Sequence, residues 1–445
     1  MKTKIAMLSL GCARNLVDAE VILGSLKAAG FKIVEEIPQA NLAIVNTCCF
    51  IGSAQEESVE TILELCRLKK EGQIDKILVC GCLVQRHQQE LVDQLKEVDA
   101  FVDVGSIKRI VPVVKKVLKG ARGLGAFGRP NFLYSHSSAR QLLTPRHFTY
   151  IKISEGCNHR CSYCIIPNLR GRYRSRAMNS IIQEAKVLFS KRTVKEINLV
   201  GQDTTLYGQD LYGQKRLAEL LQKLSAVAKE KWIRLLYAHP ANFPREIIPV
   251  IRESSNICKY IDLPIQHIND KILRRMRRGT SRKQIISVIE ALRKGIPGVG
   301  MRTTLIVGFP GETDRQFVEL LNFIREVRFE RLGIFEYSQE ENTPAFNFGR
   351  QIPQKVKQAR YQQALSLQQD ISRQINQEFK GHELTVLIDE EDDQDGNQFI
   401  GRTQYDAPEV DGCVYVRSRK KLKQGDFVQA KVTDTLEYDL VAEAI

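Results

Sequence analysis

The sequence has no long hydrophobic run: none of its apolar stretches approaches the roughly 18 residues that a membrane-spanning helix needs. This absence excludes a transmembrane helix. The opening residues, MKTKIAMLSLGCARN, turn polar too early for a secretory signal peptide and are typical of a first strand. With 43% hydrophobic and 27% charged residues the chain can bury a large core, which excludes wholesale disorder. We expect a cytoplasmic protein of about three domains.

Cysteine is the residue that the chain has in excess. Eleven cysteines are many for a protein without an export signal, and an odd number cannot all pair. In a reducing compartment, clustered cysteines serve metal or redox chemistry more often than disulfides. The positions of the cysteines therefore matter more than their number.

The chain divides into regions with different patterns. Residues 3–119 alternate strands and amphipathic helices, which predicts a doubly wound, mostly parallel sheet. The stretch Gly120–His147 is rich in Gly, Ser and Pro and indicates a linker. Six further strands then alternate with helices, which favours a partial (β/α)6 barrel over a closed eight-stranded one. After a helix over about 353–378, short strands between Gly and Asp turns indicate a small β-barrel. We therefore predict an N-terminal α/β domain over residues 1–120, a linker over 121–142, a partial (β/α) barrel over 143–375 and a small β-barrel over 376–445.

The most specific motif is EGCNHRCSYC, with Cys157, Cys161 and Cys164 within eight residues. Three thiolates on one loop can hold adjacent corners of an iron–sulfur cluster. The next cysteine is Cys258, far along the chain, so one iron would stay open to another ligand. A structural zinc site is disfavoured because it normally uses two Cys-x2-Cys arms and four protein ligands. The loop follows the first strand of the predicted barrel, where reactive groups gather. Its spacing and location resemble the radical S-adenosylmethionine (SAM) enzymes.

A second set of cysteines lies at the ends of predicted strands. Cys12, Cys48 and Cys82 close MLSLGC, NLAIVNTC and KILVCGC. In a parallel sheet these carboxyl ends share one edge, so the three thiols could form a second cluster site. A single cysteine is more often a small buried hydrophobe, and we assign that role to the five others: Cys49, Cys66, Cys80, Cys258 and Cys413. Cys49 adjoins Cys48, so which neighbour binds iron stays open.

Together these motifs resemble the methylthiotransferases, a branch of the radical SAM superfamily. The resemblance runs along SLGCARNLVDAE, VNTCCFI, CGCLVQRH, EGCNHRCSYCIIP, RGRYRSR, MRTTLIVGFPGET and the C-terminal, TRAM-like barrel. It implies two 4Fe–4S clusters. Cys157, Cys161 and Cys164 would bind the cluster that generates the radical from SAM, and Cys12, Cys48 and Cys82 the auxiliary cluster associated with sulfur supply. A second SAM would give the methyl group. An electron donor such as flavodoxin or ferredoxin is implied, and neither a membrane nor DNA is expected as a partner.

Other segments bear on the substrate. LVGQDTTLYGQDLYG, LLYAHP, YIDLPIQHIND and RTQYDAPEVDGCVYV are similar to the RimO-type branch, which modifies the β-carbon of an aspartate in small-subunit ribosomal protein twelve. The tRNA-modifying MiaB-type branch usually has a GQN-type sequence where Gln202 and Asp203 stand. Three alternatives remain open: a tRNA (adenosine) methylthiotransferase, a radical enzyme with a different outcome and, of another class, a non-catalytic iron–sulfur carrier or RNA-binding scaffold.

Charge gives a weaker, independent argument. The net charge of +14 first suggests an anionic or nucleic-acid partner, but residues 376–445 hold 8 Lys and Arg against 16 Asp and Glu. A barrel that gripped tRNA should be basic, so this acidic tail better suits a basic protein. Within it, Asp389–Asp395 is typical of a solvated acidic turn. The basic segment Lys271–Arg302 is either an RNA contact or a solvated helix face.

Further candidate site residues rest on weaker signals. Gly308 and Glu312, in GFPGET, follow a strand; the segment lacks the GK[ST] of a nucleotide-binding P-loop, and the resemblance assigns it to the SAM pocket. Arg176, like Arg174, would contact cofactor or substrate, with surface arginines as the alternative. Gln202 and Asp203 end a barrel strand, where substrate-facing groups are expected.

Overall fold

The structure is a computed structural model that describes residues 3–241, 243–392 and 397–445. It contains two compact units that are not continuous along the chain. The first consists of Met1–Leu143, Lys152–Ile181 and Ser338–Phe346, and the second of Thr144–Ile151, Ile182–Tyr337 and Asn347–Ile445. In the described residues, no helix combines the length and apolar character needed to cross a bilayer.

The N-terminal part of the first unit is a six-stranded sheet of order β2-β1-β3-β4-β5-β6, in which each pair of neighbouring strands is parallel. Its strands are β1 (Lys4–Ser9), β2 (Lys32–Ile33), β3 (Leu42–Thr47), β4 (Lys76–Gly81), β5 (Ala100–Asp103) and β6 (Leu124–Ala126). The helices are α1 (Ala13–Ala28), α2 (Gly52–Lys70), α3 (Cys82–His87), α4 (Gln89–Gln94) and α5 (Ile110–Leu118). The predicted doubly wound α/β sheet is therefore confirmed.

Strand β6 was not expected, because it lies in the segment predicted to be a linker. Its three residues pair in parallel with β5, from Leu124 opposite Ala100 to Ala126 opposite Val102. Two glycines flank or interrupt this short strand, and three residues are too few to show an alternating pattern. The Gly-rich composition therefore concealed a sheet edge.

The middle of the chain supplies the barrel strands and the helices between them. Its strands are β7 (Phe148–Lys152), β8 (Ser154–Glu155), β9 (Arg174–Ser175), β10 (Glu196–Val200), β11 (Trp232–Leu235), β12 (Tyr260–Asp262), β13 (Gly300–Val307) and β14 (Arg331–Glu336). Its helices are α6 (Ile166–Arg170), α7 (Met178–Ser190), α8 (Gln209–Tyr212), α9 (Leu217–Ala228), α10 (Ile247–Glu253), α11 (Asp270–Arg275), α12 (Arg282–Gly295), α13 (Asp314–Val327) and α14 (Gln354–Glu378).

Six of these strands, which belong to the second unit apart from Lys152 at the end of β7, form two three-stranded sheets, β11-β10-β7 and β12-β13-β14. A parallel bridge between Ile233 and Ile257 joins β11 to the segment before β12. The sequence pattern predicted six strands in an incomplete barrel, and this arrangement confirms it. Helices α12 and α13 each begin with a capping box, at Ser281 and Thr313, which satisfies free backbone N–H groups.

The C-terminal residues of the second unit close into a five-stranded barrel of order β15-β16-β17-β19-β18. The strands are β15 (Glu383–Glu391), β16 (Gln398–Thr403), β17 (Val414–Arg417), β18 (Phe427–Thr435) and β19 (Leu440–Ala444). Alternate residues such as Val386, Ile388 and Phe399 fill its interior. The predicted small β-barrel is confirmed.

The predicted solvated turn Asp389–Asp395 is wrong over its first three residues, because Asp389, Glu390 and Glu391 belong to β15. Asp389 lies in β15, where its Oδ1 is 2.6 Å from Nε2 of His147 and its Oδ2 accepts from Nε of Arg402 at 2.8 Å. The strand register shifts between Ile388 and Glu390, and such a bulge breaks the alternation of side chains. Residues 393–396 of the predicted turn lie outside the described residues.

Candidate metal centre

The cysteines of the sheet edge follow three strands that are neighbours in the first unit. Ser9 of β1 is opposite Asn46 of β3, and Thr47 of β3 is opposite Gly81 of β4. Cys48 and Cys82 are the next residues after that last pair, and Cys12 ends the short turn from β1 into α1. The register of a parallel sheet therefore brings to one edge three thiols that are more than thirty residues apart in sequence.

Close packing at Gly11 shows how near these segments lie. Gly11 has a φ of +85°, and a Cβ atom there would lie 2.6 Å from Cβ and 2.8 Å from Sγ of Cys48. Any side chain at Gly11 would collide with this cysteine. The backbone of Cys48 is fixed by Ser58, whose Oγ accepts from Cys48 N at 3.0 Å and donates to Cys48 O at 2.8 Å.

The three thiols at the sheet edge differ in pKa because their burial and neighbouring charges differ. Burial acts to raise the pKa of Cys12, but the charges of Arg14 and Arg170 outweigh it and lower the pKa to about 7. Cys12 also precedes the first turn of α1, where the helix dipole favours a thiolate. Burial, and next the neighbouring Cys82, raise the pKa of Cys48 to about 11. Burial likewise raises the pKa of Cys82, against the opposing charge of Arg170.

Arg170 links the sheet edge to the helix that follows the Cys157 loop. Its Nη2 donates to Cys82 Sγ at 3.1 Å and to Asn15 Oδ1 at 3.1 Å, while its Nη1 donates to Asp18 Oδ2. Asp18 also accepts from Lys152 Nζ at 2.5 Å. This buried network belongs entirely to the first unit.

The Cys157 loop, also in the first unit, is held by backbone contacts. Cys157 N donates to Gly171 O at 3.1 Å, and Cys164 N donates to Cys161 O at 3.1 Å. Gly156 has a φ of +82°, and a Cβ atom there would lie 2.6 Å from Gly171 O. A cavity of about 370 Å³ opens on this loop, lined by Cys157 together with Arg160 and other loop residues. Cys161 is buried, whereas Cys157 and Cys164 are half-buried.

Arg176 occupies a buried position in the first unit. Its side chain is 1% exposed, its Nη1 donates to Lys152 O at 2.8 Å, and its Nη2 donates to Ser180 Oγ at 3.1 Å. The guanidinium lies over the ring of Tyr134 at 4.0 Å. These contacts give Arg176 a structural role, and its cofactor-binding role stays a prediction. The alternative of a surface arginine is wrong.

The other predicted binding residues lie in the second unit, where hydrogen bonds within the protein hold Gly308, Glu312 and Asp203. Glu312 Oε2 accepts from Gly308 N at 2.7 Å, so these two residues clamp one turn. Burial raises the pKa of Glu312 to about 7, although Arg360 opposes this. Asp203 accepts from the N and Oγ1 of Thr205 and caps a short 3₁₀ turn. The binding roles of Gly308, Glu312, Gln202 and Asp203 stay predictions.

The basic segment Lys271–Arg302 is mixed in exposure. Arg274, Arg275 and Arg277 are exposed, whereas Arg278 is buried and donates to Pro264 O. Exposed arginines suit an RNA contact and a solvated helix face equally, so the choice between them stays a prediction, and Arg278 fits neither.

Sequence reasoning missed the buried charges between the two cysteine sets. These are Asp18, Lys152, Glu155 and Arg170, each at most 3% exposed. A signal was present, since Lys152 ends the apolar strand FTYIK and Asp18 interrupts the apolar run of α1. A charge at a position where periodicity calls for an apolar residue indicates a buried ionic partner.

Three family models match the chain. They are the Radical SAM superfamily over residues 151–324, Uncharacterized protein family UPF0004 over residues 4–103, and the TRAM domain over residues 381–445. The solved structure of the radical S-adenosylmethionine methyltransferase TsrM from Kitasatospora setae matches with a TM-score of 0.57 at 15% identity, covering 78% of this chain and 74% of that chain. The partial barrel and the three-cysteine loop therefore define a protein of the radical SAM class.

Relatives with higher sequence identity identify the family within the radical SAM class. The ribosomal protein uS12 methylthiotransferase RimO of Heliobacterium modesticaldum is 46% identical over 442 residues, covering 99% of this chain and 95% of that protein. The protein of the same name from Desulforamulus reducens is 46% identical over 439 residues and 99% of both chains. The chain belongs to the RimO family of ribosomal protein uS12 methylthiotransferases.

Proposed function

We propose that this protein installs a methylthio group on the β-carbon of an aspartate in ribosomal protein uS12. It uses SAM and two 4Fe–4S clusters. The observation that carries the proposal is the presence in one compact unit of two sets of three cysteines, one on a loop and one at a sheet edge. An enzyme that only generates a radical needs the first set alone, so the second set favours sulfur insertion.

The donor atoms fit such clusters. Each set offers three thiols, the ligands that iron–sulfur clusters use, and leaves one iron without a protein ligand. Cys157, Cys161 and Cys164 would hold the first cluster, and Cys12, Cys48 and Cys82 the second. When bound, the clusters and SAM supply the one-electron and sulfur chemistry that no side chain provides. Arg160, which lines the 370 Å³ cavity, would offer its positive charge to an anionic group of the bound ligand.

Cys48 fits the second cluster better than Cys49. Its Sγ lies against Gly11, next to Cys12, and its pKa responds to both Cys82 and Cys12. Cys49 is fully buried, burial and next the neighbouring Cys82 raise its pKa, and its carbonyl accepts from Arg86 Nη1 at 3.2 Å. Cys49 is therefore proposed as a packing residue.

The protein's own residues keep these sites in shape. Backbone contacts of Cys157 and Cys164 fix the loop, and the buried charges around Arg170 fix α1 beside the sheet edge. The net acidic tail suits a basic ribosomal protein better than tRNA. A ribosomal substrate implies work in the cytoplasm, with an electron donor such as flavodoxin or ferredoxin.

Mass spectrometry of cells with and without the gene tests the proposal. We expect the methylthio group on a uS12 aspartate to disappear on deletion and to return with the wild-type gene. Complementation with Cys48→Ala should fail, whereas the matched neighbour variant Cys49→Ala should restore the modification. Loss of a methylthio group from a tRNA adenosine, with uS12 unchanged, would favour the tRNA enzyme and overturn the proposal.

A further inference from the structure

Arg170 is a buried cation in contact with a cysteine sulfur. Its side chain is 3% exposed, it is positively charged, and its Nη2 lies 3.1 Å from a cysteine sulfur, Sγ of Cys82. Arginine is not deprotonated in proteins, so this group presents a permanent charge and an N–H donor to the sulfur. A buried arginine needs partners for its charge, and the neighbouring residues supply them.

These partners form a compact ionic group. Asp18 accepts from Arg170 Nη1, and Asp18 and Glu155 each accept from Lys152 Nζ at 2.5 Å. Glu155 Oε2 also lies 3.7 Å from Arg170 Nη1. The group holds two cations and two anions, so its formal charges balance without the sulfur of Cys82. The guanidinium fork can contact Asp18, Asn15 and Cys82 at once, which a single ammonium cannot do.

The ionic group also joins the two cysteine sets along the chain. Asp18 follows Cys12 on α1, and Glu155 lies two residues before Cys157. Arg170 ends α6, the helix that begins directly after the Cys157 loop. Arg170 thus belongs to the segment that carries Cys157, Cys161 and Cys164, but it contacts the sulfur of Cys82 in the other cysteine set.

We infer that Arg170 is a positioning residue that holds Cys82 for the second cluster and makes that cluster easier to reduce. The inference rests on the proposed function, because it requires a cluster at Cys12, Cys48 and Cys82. Hydrogen bonds to the sulfurs and nearby positive charge favour the more negative, reduced form of a cluster. Arg170 provides both to Cys82.

A redox titration of the second cluster tests this. The full-length chain with Cys157, Cys161 and Cys164 all changed to Ala serves as parent, so that only the sheet-edge site can load. After anaerobic reconstitution, the midpoint potential is followed by electron paramagnetic resonance in the parent and in its Arg170→Gln and Arg170→Lys derivatives. The matched control is Arg140→Gln. Arg140 is 8% exposed and its Nε donates at 2.7 Å to Glu20, on the same helix α1 as Asp18.

We expect Arg170→Gln to lower the potential, so that the ratio of reduced to oxidised cluster at the parent's midpoint falls about tenfold, or about 59 mV for one electron. Arg170→Lys keeps the charge but loses the fork, so its potential should lie between those of the parent and Arg170→Gln. Arg140→Gln should match the parent, although it also removes a buried arginine from a carboxylate on α1.

Three results would overturn the inference. One is an equal potential in the parent and both Arg170 variants. A second is an Arg140→Gln shift as large as that of Arg170→Gln, since that would reflect general loss of buried pairing. The third result applies if circular dichroism shows that Arg170→Gln does not fold. In that case, a midpoint potential of Arg170→Lys equal to that of the parent would overturn the inference. A parent that loads no iron would instead contradict the proposed function, which keeps the two failures distinct.

Discussion

The two cysteine sets of the first unit place three thiols together in different ways. Cys157, Cys161 and Cys164 lie within eight residues on one loop, so local backbone contacts suffice to arrange them. Cys12, Cys48 and Cys82 come from three strand ends and meet only when β1, β3 and β4 pair in register. The loop site therefore depends on short-range geometry, whereas the sheet-edge site depends on the fold of the whole sheet.

The largest expected difference between the sites is functional. Replacing Cys161 with Ala should abolish formation of 5′-deoxyadenosine from SAM and reductant, because the loop cluster would supply that chemistry. Replacing Cys48 with Ala should leave 5′-deoxyadenosine formation intact but abolish methylthiolation. Chromatography of the nucleoside product and mass spectrometry of a uS12 substrate measure the two outcomes. An equal loss of 5′-deoxyadenosine formation in both variants would contradict the separate roles of the two sites.

Glycine substitutions should separate the two sites without replacing a cysteine. Gly11→Ala would push a methyl group into Cys48, and Gly156→Ala would push one into the carbonyl of Gly171. Each also carries a left-handed backbone cost of about 1–2 kcal/mol. We expect each variant to lose iron from its own site alone, measured by iron content after reconstitution.

Gly30→Ala is the matched control for these two variants. Gly30 also has a left-handed φ, of +94°, but a Cβ atom there meets nothing within 4 Å. It should cost a similar amount of stability and lose no iron. Iron loss in Gly30→Ala would show that backbone strain, and not the collision with each site, causes the effect.

The smallest expected effect concerns protonation at the sheet edge. In metal-free protein the pKa of Cys12 is lowered to about 7 and that of Cys48 is raised to about 11. Only the thiolate reacts with iodoacetamide, so labelling of Cys12 should rise as the pH passes through about 7 while Cys48 stays unlabelled. Peptide mapping across pH 6–9 follows both residues. Equal labelling of both cysteines at pH 8 would contradict this assignment.

Local patterns made most of the fold predictable from sequence. Strand β10 and the strands of the terminal barrel have clear apolar runs or alternation. The Cys157 loop can be identified from the spacing of its cysteines alone. The edge location of Cys12, Cys48 and Cys82 also follows from the strand ends. Strand β6 escaped because Gly-rich composition masks a three-residue strand.

The rest depends on which residues pair across the fold. A charge within an apolar run indicates a buried ionic partner, but no local pattern identifies that partner. The contact of Arg170 with Cys82 joins residues 88 positions apart, and the bond of Lys152 with Asp18 joins residues 134 apart. Asp389 similarly looked like a turn residue but pairs with Arg402 because a bulge redirects it. The packing of Cys48 against Gly11 supports the predicted choice of Cys48 over Cys49 and could not be read from the sequence.

The iron content of the anaerobically reconstituted full-length protein tests the two-site account most directly. The wild-type chain should bind about eight irons as two four-iron clusters. The Cys12, Cys48 and Cys82 triple Ala variant and the Cys157, Cys161 and Cys164 triple Ala variant should each retain about four. A wild-type value near four that the first triple variant leaves unchanged would contradict the second cluster.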